Sequence, residues 1–223
     1  ATATATRLHV LPVTPWGKFV PALNALVQFA AASVNPPLHE KHSDPSCCRH
    51  QMLFCSAETA CSAQAVQTLQ SHLRADTAVV GACLPGHEYK GTATTTISDD
   101  DNNEPIIAEL NGRTSPWNTL ALWDLRKLAL TGFLLVSDGL LTDDETDPSF
   151  GIEEVVATCL LQKLLGAEKA KSKLVHLTSE VAWNQEFDDP ARQQWHEQKM
   201  TSKLSRANRQ LELTGLSGVV HHC

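Results

Sequence analysis

Apolar residues recur at helical spacing at Ile152, Val155, Val156, Cys159, Leu160 and Leu164, and Gly166 follows where a helix commonly ends. The pattern predicts one buried helix whose first turn carries two carboxylates, Glu153 and Glu154. Residues 19–32 are apolar on nearly every face and place Pro21 in a first turn, the position where a helix accepts it; they predict a mostly buried helix. Residues 63–73 have the one-sided periodicity of an amphipathic helix, and residues 120–130 have helical spacing that ends near Gly132-Phe133. Short apolar runs predict strands at 8–11, 52–55, 77–82, 106–110 and 174–177. The strands at 52–55 and 77–82 bracket the helix at 63–73. Such a βαβ-like unit favours a parallel sheet with ligands outside the carboxyl ends of its strands, and Glu58 falls at one of those ends.

Between these elements lie polar stretches, several of which admit two interpretations. Residues 35–51 are Pro-rich and hold His39, His42, Cys47, Cys48 and His50. These are zinc-ligand types, yet adjacent cysteines at irregular spacing depart from the usual paired pattern, and a solvated surface insertion is the preferred account. His221, His222 and Cys223 would be further ligands. Asp99-Asp100-Asp101 forms either a cation-attracting turn or a solvated loop, and a second acidic loop, Asp143-Asp144-Glu145-Thr146-Asp147, leads into the Glu153-Glu154 helix. From 190 to 213 a polar helical stretch carries Arg192, His196, Lys199, Lys203, Arg206 and Arg209 at spacings that gather most of them on one side. That side meets either phosphates or water. For Glu153 and Glu154 themselves, the ordinary account is that they complement the positive end of the helix dipole; the sharper one is that they hold a general base rigidly beside a cleft.

Composition narrows the classes. The 223 residues suit one large domain, or one and a half small ones, with a sizeable core. A formal net charge of -7 argues against a general nucleic-acid binder. No apolar run approaches the roughly 20 residues needed to span a bilayer, and the Ala-Thr repeat at the start lacks the features of a signal peptide. Seven cysteines without a repeating framework fit reduced thiols and a cytoplasmic setting. The missing initiator Met and the Ala-Thr repeat suggest a processed or fragmentary N-terminus.

The succession of motifs resembles the inverting family-2 type of GT-A nucleotide-sugar glycosyltransferase. Gly17-Lys18-Phe19-Val20-Pro21-Ala22-Leu23-Asn24 has the form of that family's Gly-Lys-x-x-x-Ala-Leu-Asn segment. Leu53-Phe54-Cys55 followed by Ser56-Ala57-Glu58 is similar to its strand ending in Asp-x-Asp, with Ser in the first acidic place. Asn118 through Gly132-Phe133 is similar to its loop and helix ending in Gly-Phe, and Glu153-Glu154 to its Glu-Asp pair. The family's preceding nucleobase-binding unit and its Gln-x-x-Arg-Trp motif are not seen in order.

What the resemblance implies is an α/β, GT-A-like domain over residues 1–180, with a mostly parallel sheet flanked by helices and short of its N-terminal unit, and a helical extension over 181–223. Its substrates would be a nucleotide-sugar donor and a hydroxyl acceptor. Glu154 would deprotonate the acceptor, and Glu153 would orient it or bind a sugar hydroxyl. Glu58 would hold Mg²⁺ or Mn²⁺ as the sole carboxylate ligand, and Lys18 would meet the diphosphate or be an ordinary surface lysine. Gly112, Trp117 and Asn118 would line the acceptor side, with a purely structural Trp117 as the alternative. A non-catalytic GT-A-like binding or assembly protein, and a small His/Cys metal-binding domain, remain as other classes.

Overall fold

The computed structural model describes residues 9–14, 17–34, 50–91, 105–139, 150–177 and 181–223, which form six α-helices and eight strands. One sheet has the order β1 (Gln51–Cys55), β5 (Leu120–Asp124), β3 (Thr77–Ala82), β6 (Lys171–Val175), β8 (Val219–His222), β4 (Ile106–Glu109). At its centre β3, β6 and β8 run parallel, whereas β5 is antiparallel to both β1 and β3, and β4 is antiparallel to β8. The protein is therefore α/β with a mixed sheet; the mostly parallel arrangement expected from sequence holds at the centre and gives way toward both edges. The expected βαβ-like unit is present in modified form. β1 and β3 share a direction, but β5 lies between them. A second, two-stranded sheet pairs β2 (Thr59–Cys61) with β7 (Val181–Trp183).

β5 corrects one helix expectation. The segment 120–124 is a strand, buried on both faces: Ala121 and Trp123 point to one layer of helices and Leu120 and Leu122 to the other. A continuous apolar run satisfies helical spacing and a doubly buried strand equally well. The boundary is set by Asp124, whose carboxylate accepts from the N–H groups of Arg126 and Lys127 at 2.9 and 3.2 Å and so caps α3 (Leu125–Thr131).

Helices α1 (Phe19–Ser33), α3 and α4 (Glu153–Leu165) cover one face of the sheet, where Trp123, Phe54 and Phe133 join them in one core. α2 (Ala63–His72) covers the other face through Leu69. Burying each such large side chain contributes about 1.5–3 kcal/mol. α1 is less buried than its composition implies. Val20, Ala22, Leu23 and Val27 face the core, but Phe19, Leu26 and Phe29 remain exposed. Residues 9–14 do not form the strand expected at 8–11, and the last expected strand begins earlier, at Lys171.

The C-terminal segment differs from a plain helical extension. Its helical stretch breaks at Ser202 into α5 (Pro190–Thr201) and α6 (Lys203–Thr214), and the chain then returns into the sheet as β8 between β6 and β4. α6 packs on α4 through Ala207 against Val155, Val156 and Cys159. His39, His42, Cys47, Cys48, the Asp99-Asp100-Asp101 run and the acidic loop at 143–147 lie outside the described residues. Among the described residues no helix is long and apolar enough to cross a membrane.

Candidate functional site

The register brings the carboxyl ends of β1, β3 and β6 together with the start of β5: Cys55 stands opposite Leu120, Gly81 opposite Ala121, and Ala82 opposite Val175. Leaving β1, the chain turns through Ser56-Ala57-Glu58, closed by Thr59 N–H donating to Ser56 O at 3.0 Å. Ser56 N–H also donates to Thr119 O at 2.9 Å, which fastens this turn to the residues ahead of β5. Next to Thr119, Asn118 accepts from Trp123 Nε1 at 2.9 Å and donates from Nδ2 to Glu153 Oε1 at 3.0 Å. An indole nitrogen only donates, so the orientation of the amide is fixed: oxygen toward Trp123, nitrogen toward Glu153.

The start of α4 is held under backbone strain. Gly151 and Ile152 both have positive φ, +82° and +66°, and for a β-branched residue such a conformation costs about 1–3 kcal/mol. Neighbouring groups fix it. Gly151 N–H donates to Ser137 O at 2.6 Å, Arg206 Nη1 donates to Phe150 O at 2.7 Å, and the Gln210 amide donates to Gly151 O. Helix α6 therefore clamps the loop that aims the two acids. Glu153 and Glu154 are only 7% and 4% exposed.

Burial, followed by the neighbouring charge of Glu153, pushes the Glu154 carboxyl up to about 8, with Lys203 and Lys199 opposing the shift. Across from it, burial drives the Lys203 ammonium down to about 7, with Glu154 opposing. Lys203 Nζ stands 3.2 Å from the centre of the Trp117 ring, and His87 stacks on the same ring at 3.5 Å. At those separations the two groups must take opposite faces. His87 Nδ1 accepts from Leu84 N–H at 2.9 Å, which leaves its Nε2–H to donate to Ser115 O at 3.0 Å, and burial keeps the ring neutral by lowering its pKa to about 3.

These groups surround a cavity of about 670 Å³. Glu153, Glu154 and Asp138 supply acid; Lys199, Lys203 and Arg206 supply positive charge; Phe19, Leu23, Leu26, Phe54 and Phe150 make an apolar wall. Asp138 has a structural task as well. Its carboxylate accepts from Val20 N–H at 3.1 Å and caps α1, whose own N-cap residue Lys18 makes no side-chain capping bond. A smaller adjoining hollow of about 70 Å³ holds Glu58, Arg192 and His196, and Ser56, Thr119, Trp195, Lys199 and Lys203 line both spaces.

The residues singled out from sequence are thus distributed unevenly. Glu153, Glu154, Trp117 and Asn118 line the cavity, and Glu58 lies in the adjoining hollow. Both faces of Trp117 are covered, and its Nε1 donates to Gly112 O at 2.9 Å, so the ring supports Lys203 and presents no open face to a sugar. Gly112 does not line either space; a Cβ there would run into the Lys203 carbonyl, so this glycine permits the close approach of α6. Lys18 lines neither space; its Nζ sits over the ring of Phe150, a cavity-lining residue, at 5.4 Å.

A divalent cation at the Ser56-Ala57-Glu58 turn fits poorly. Glu58 is engaged by Arg192 Nη2 at 2.9 Å; burial would raise its carboxyl, but hydrogen bonds from its own backbone N–H and the Ser56 hydroxyl, joined by Arg192, hold it below the usual range, and the Ser56 hydroxyl lies 2.9 Å from that of Thr59. Among the described residues no group of three or more His, Cys, Asp or Glu side chains is placed to hold a metal ion. Hard cations need several oxygen ligands, and this turn offers one carboxylate already paired.

Sequence reasoning left the basic stretch undecided and did not single out Trp195 or Asp138. Trp195, 45% exposed, carries Arg192 at 4.5 Å and Lys199 at 5.0 Å from its ring centre. An indole set among cations at positions 192, 195 and 199 of one helix was the available signal. No known protein family, curated protein or solved structure matches the chain.

Proposed function

We propose that this cleft is the active site of a GT-A-like glycosyltransferase that moves a sugar from a nucleotide-sugar donor to a hydroxyl acceptor with inversion. The observation that carries the proposal is the pairing of a buried carboxylate couple, aimed by Asn118, with a cationic wall inside one cavity. An acceptor oxygen attacks the anomeric carbon as the carbon–oxygen bond to the diphosphate breaks. The electron pair leaves with the diphosphate, and the acceptor proton passes to the Glu154 carboxylate. A base whose pKa lies near the working pH suits this transfer, and burial raises Glu154 toward that range. Glu153, fixed by Asn118, orients the acceptor or a sugar hydroxyl.

A second reading, a donor-binding protein without turnover, draws on the ion pair that occupies Glu58. The two separate in one experiment: donor binding and nucleoside-diphosphate release are followed across a set of nucleotide sugars and alcohol acceptors. For a transferase, Glu154→Gln keeps donor affinity and lowers kcat by roughly 10²–10⁴-fold. Binding without release by the unmodified chain would favour the second reading, and a chain that binds no nucleotide sugar would end both.

A further inference from the structure

The poor fit of a metal ion leaves the leaving diphosphate without its usual partner, while three cations converge on the adjoining walls. We propose that Lys203 and Lys199, with Arg192 beside them, hold the diphosphate of the ligand directly and without a divalent cation. The identity of the ligand rests on the transferase reading; the anion site itself rests on the geometry.

Lys203 is the centre of the site. It is 5% exposed and lines both the cavity and the smaller hollow. Burying an ammonium group is strongly unfavourable unless an anion meets it. Several features of the fold nevertheless place it there. The bare backbone of Gly112 admits the first turn of α6, and the Trp117 face supports the ammonium at 3.2 Å. That first turn is joined to α5 at Ser202, whose hydroxyl donates to Gln198 O at 2.7 Å and accepts from Arg206 Nε at 3.1 Å.

Lys199 and Arg192 are preorganised by Trp195 and Phe187. Arg192 lies 4.5 Å from the centre of the Trp195 ring and 5.0 Å from that of Phe187, and Lys199 lies 5.0 Å from that of Trp195. His196 lines the same hollow with a buried Nε2 that has no hydrogen-bond partner. Glu58 accepts from Arg192 in the present arrangement, so a phosphate oxygen arriving at the hollow would compete for that guanidinium. Arg206 is not part of the anchor. Its guanidinium is spent on Ser202, Phe150 and Lys199, and it acts by holding the loop ahead of Glu153.

Inorganic pyrophosphate is the probe, titrated calorimetrically into the full chain stripped with EDTA and again with Mg²⁺ or Mn²⁺ added. Binding is expected in EDTA, unimproved by either cation. Lys203→Met, which keeps the length of the side chain, and Lys199→Ala, at an exposed position, are each expected to weaken it about 10-fold or more. Glu58→Ala is expected to tighten it by freeing Arg192. Thermal melts of each variant separate loss of the site from loss of the fold, and Lys199→Ala keeps the test open should Lys203→Met unfold. Pyrophosphate binding that needs the divalent cation and vanishes in Glu58→Ala would overturn the proposal while leaving the transferase reading intact. Binding in EDTA that ignores both lysine variants would overturn it too, and so would no binding under any condition. Diphosphate release from nucleotide sugars reports on the transferase reading independently.

Discussion

Glu154 and Lys203 are both displaced toward their neutral forms by the same burial, and the signs of the two effects on stability are opposite. Glu154 has a folded pKa of about 8 against an ordinary 4.5. Between those values the unfolded chain gives up a proton that the folded chain keeps, so stability from this group falls as pH rises through the window. Lys203 has a folded pKa of about 7 against an ordinary 10.5. There the unfolded chain holds the extra proton, and stability rises with pH. Together they produce a flat-floored minimum where the windows overlap, near neutral to mildly alkaline pH. Glu154→Gln is therefore expected to flatten the descending limb and to stabilise the fold at its upper end by roughly 3–5 kcal/mol. Chemical denaturation at both ends of the window measures this; a variant that is less stable than the parent throughout would show that Glu154 is not held against its charge.

At the level of elements, the cleft is assembled by caps and close approaches that link distant parts of the chain. Asp138, 118 residues from Val20 in sequence, caps α1 and in doing so fixes the helix that carries the apolar wall. Asp138→Ala is expected to lower stability by about 1 kcal/mol and to speed amide exchange in the first turn of α1 above that of its last turns; uniform exchange along α1 would count against the cap. Gly112→Ala acts on another element. A methyl group there must displace the Lys203 backbone, so a loss of about 1–3 kcal/mol is expected together with weaker pyrophosphate binding, and a variant with unaltered affinity would show that the start of α6 is free to move. These links explain what the sequence could convey. The helix at 153–165 was legible because its apolar spacing and Gly166 are local signals, and so were α2 and β3. The strand at 120–124 was not, since an apolar run buried on both faces carries no period of its own. Glu153 and Glu154 stood out by their place in a first turn, whereas Asp138 is the last residue of a short 3₁₀ helix, Leu135–Asp138, and gains its meaning only from α1. The lysines of the basic stretch were visible as a face, but the direction of that face depends on the break at Ser202 and on Gly112.

Across the whole molecule, the cationic wall and the sheet are one structure. α6 lies between the cleft, where Arg206 and Gln210 grip the residues ahead of Glu153, and β8, which enters the sheet between β6 and β4. α4 is tied to the same strand by a side chain that imitates backbone pairing: Gln162 Oε1 accepts from Val219 N–H at 2.9 Å while its Nε2 donates to Val219 O at 2.8 Å. Val220 is fully buried, and Cys223 N–H donates to Leu174 O at 2.9 Å. A chain ending after residue 218 would thus lose β8, which pairs with both β6 and β4, and with it the partner of a buried amide on α4. An exposed β6 edge would also invite pairing between copies. Unsatisfied buried amide and peptide groups cost about 1–3 kcal/mol each, enough in combination to consume much of the stability of a domain this size. The truncated chain is therefore expected to melt at markedly lower temperature or to aggregate, and to lose pyrophosphate binding although every cation of the anchor remains in its sequence. If it instead keeps both its melting temperature and its affinity, the C-terminal segment is a separable extension, and the coupling of β8 to the cleft through α4 and α6 is wrong.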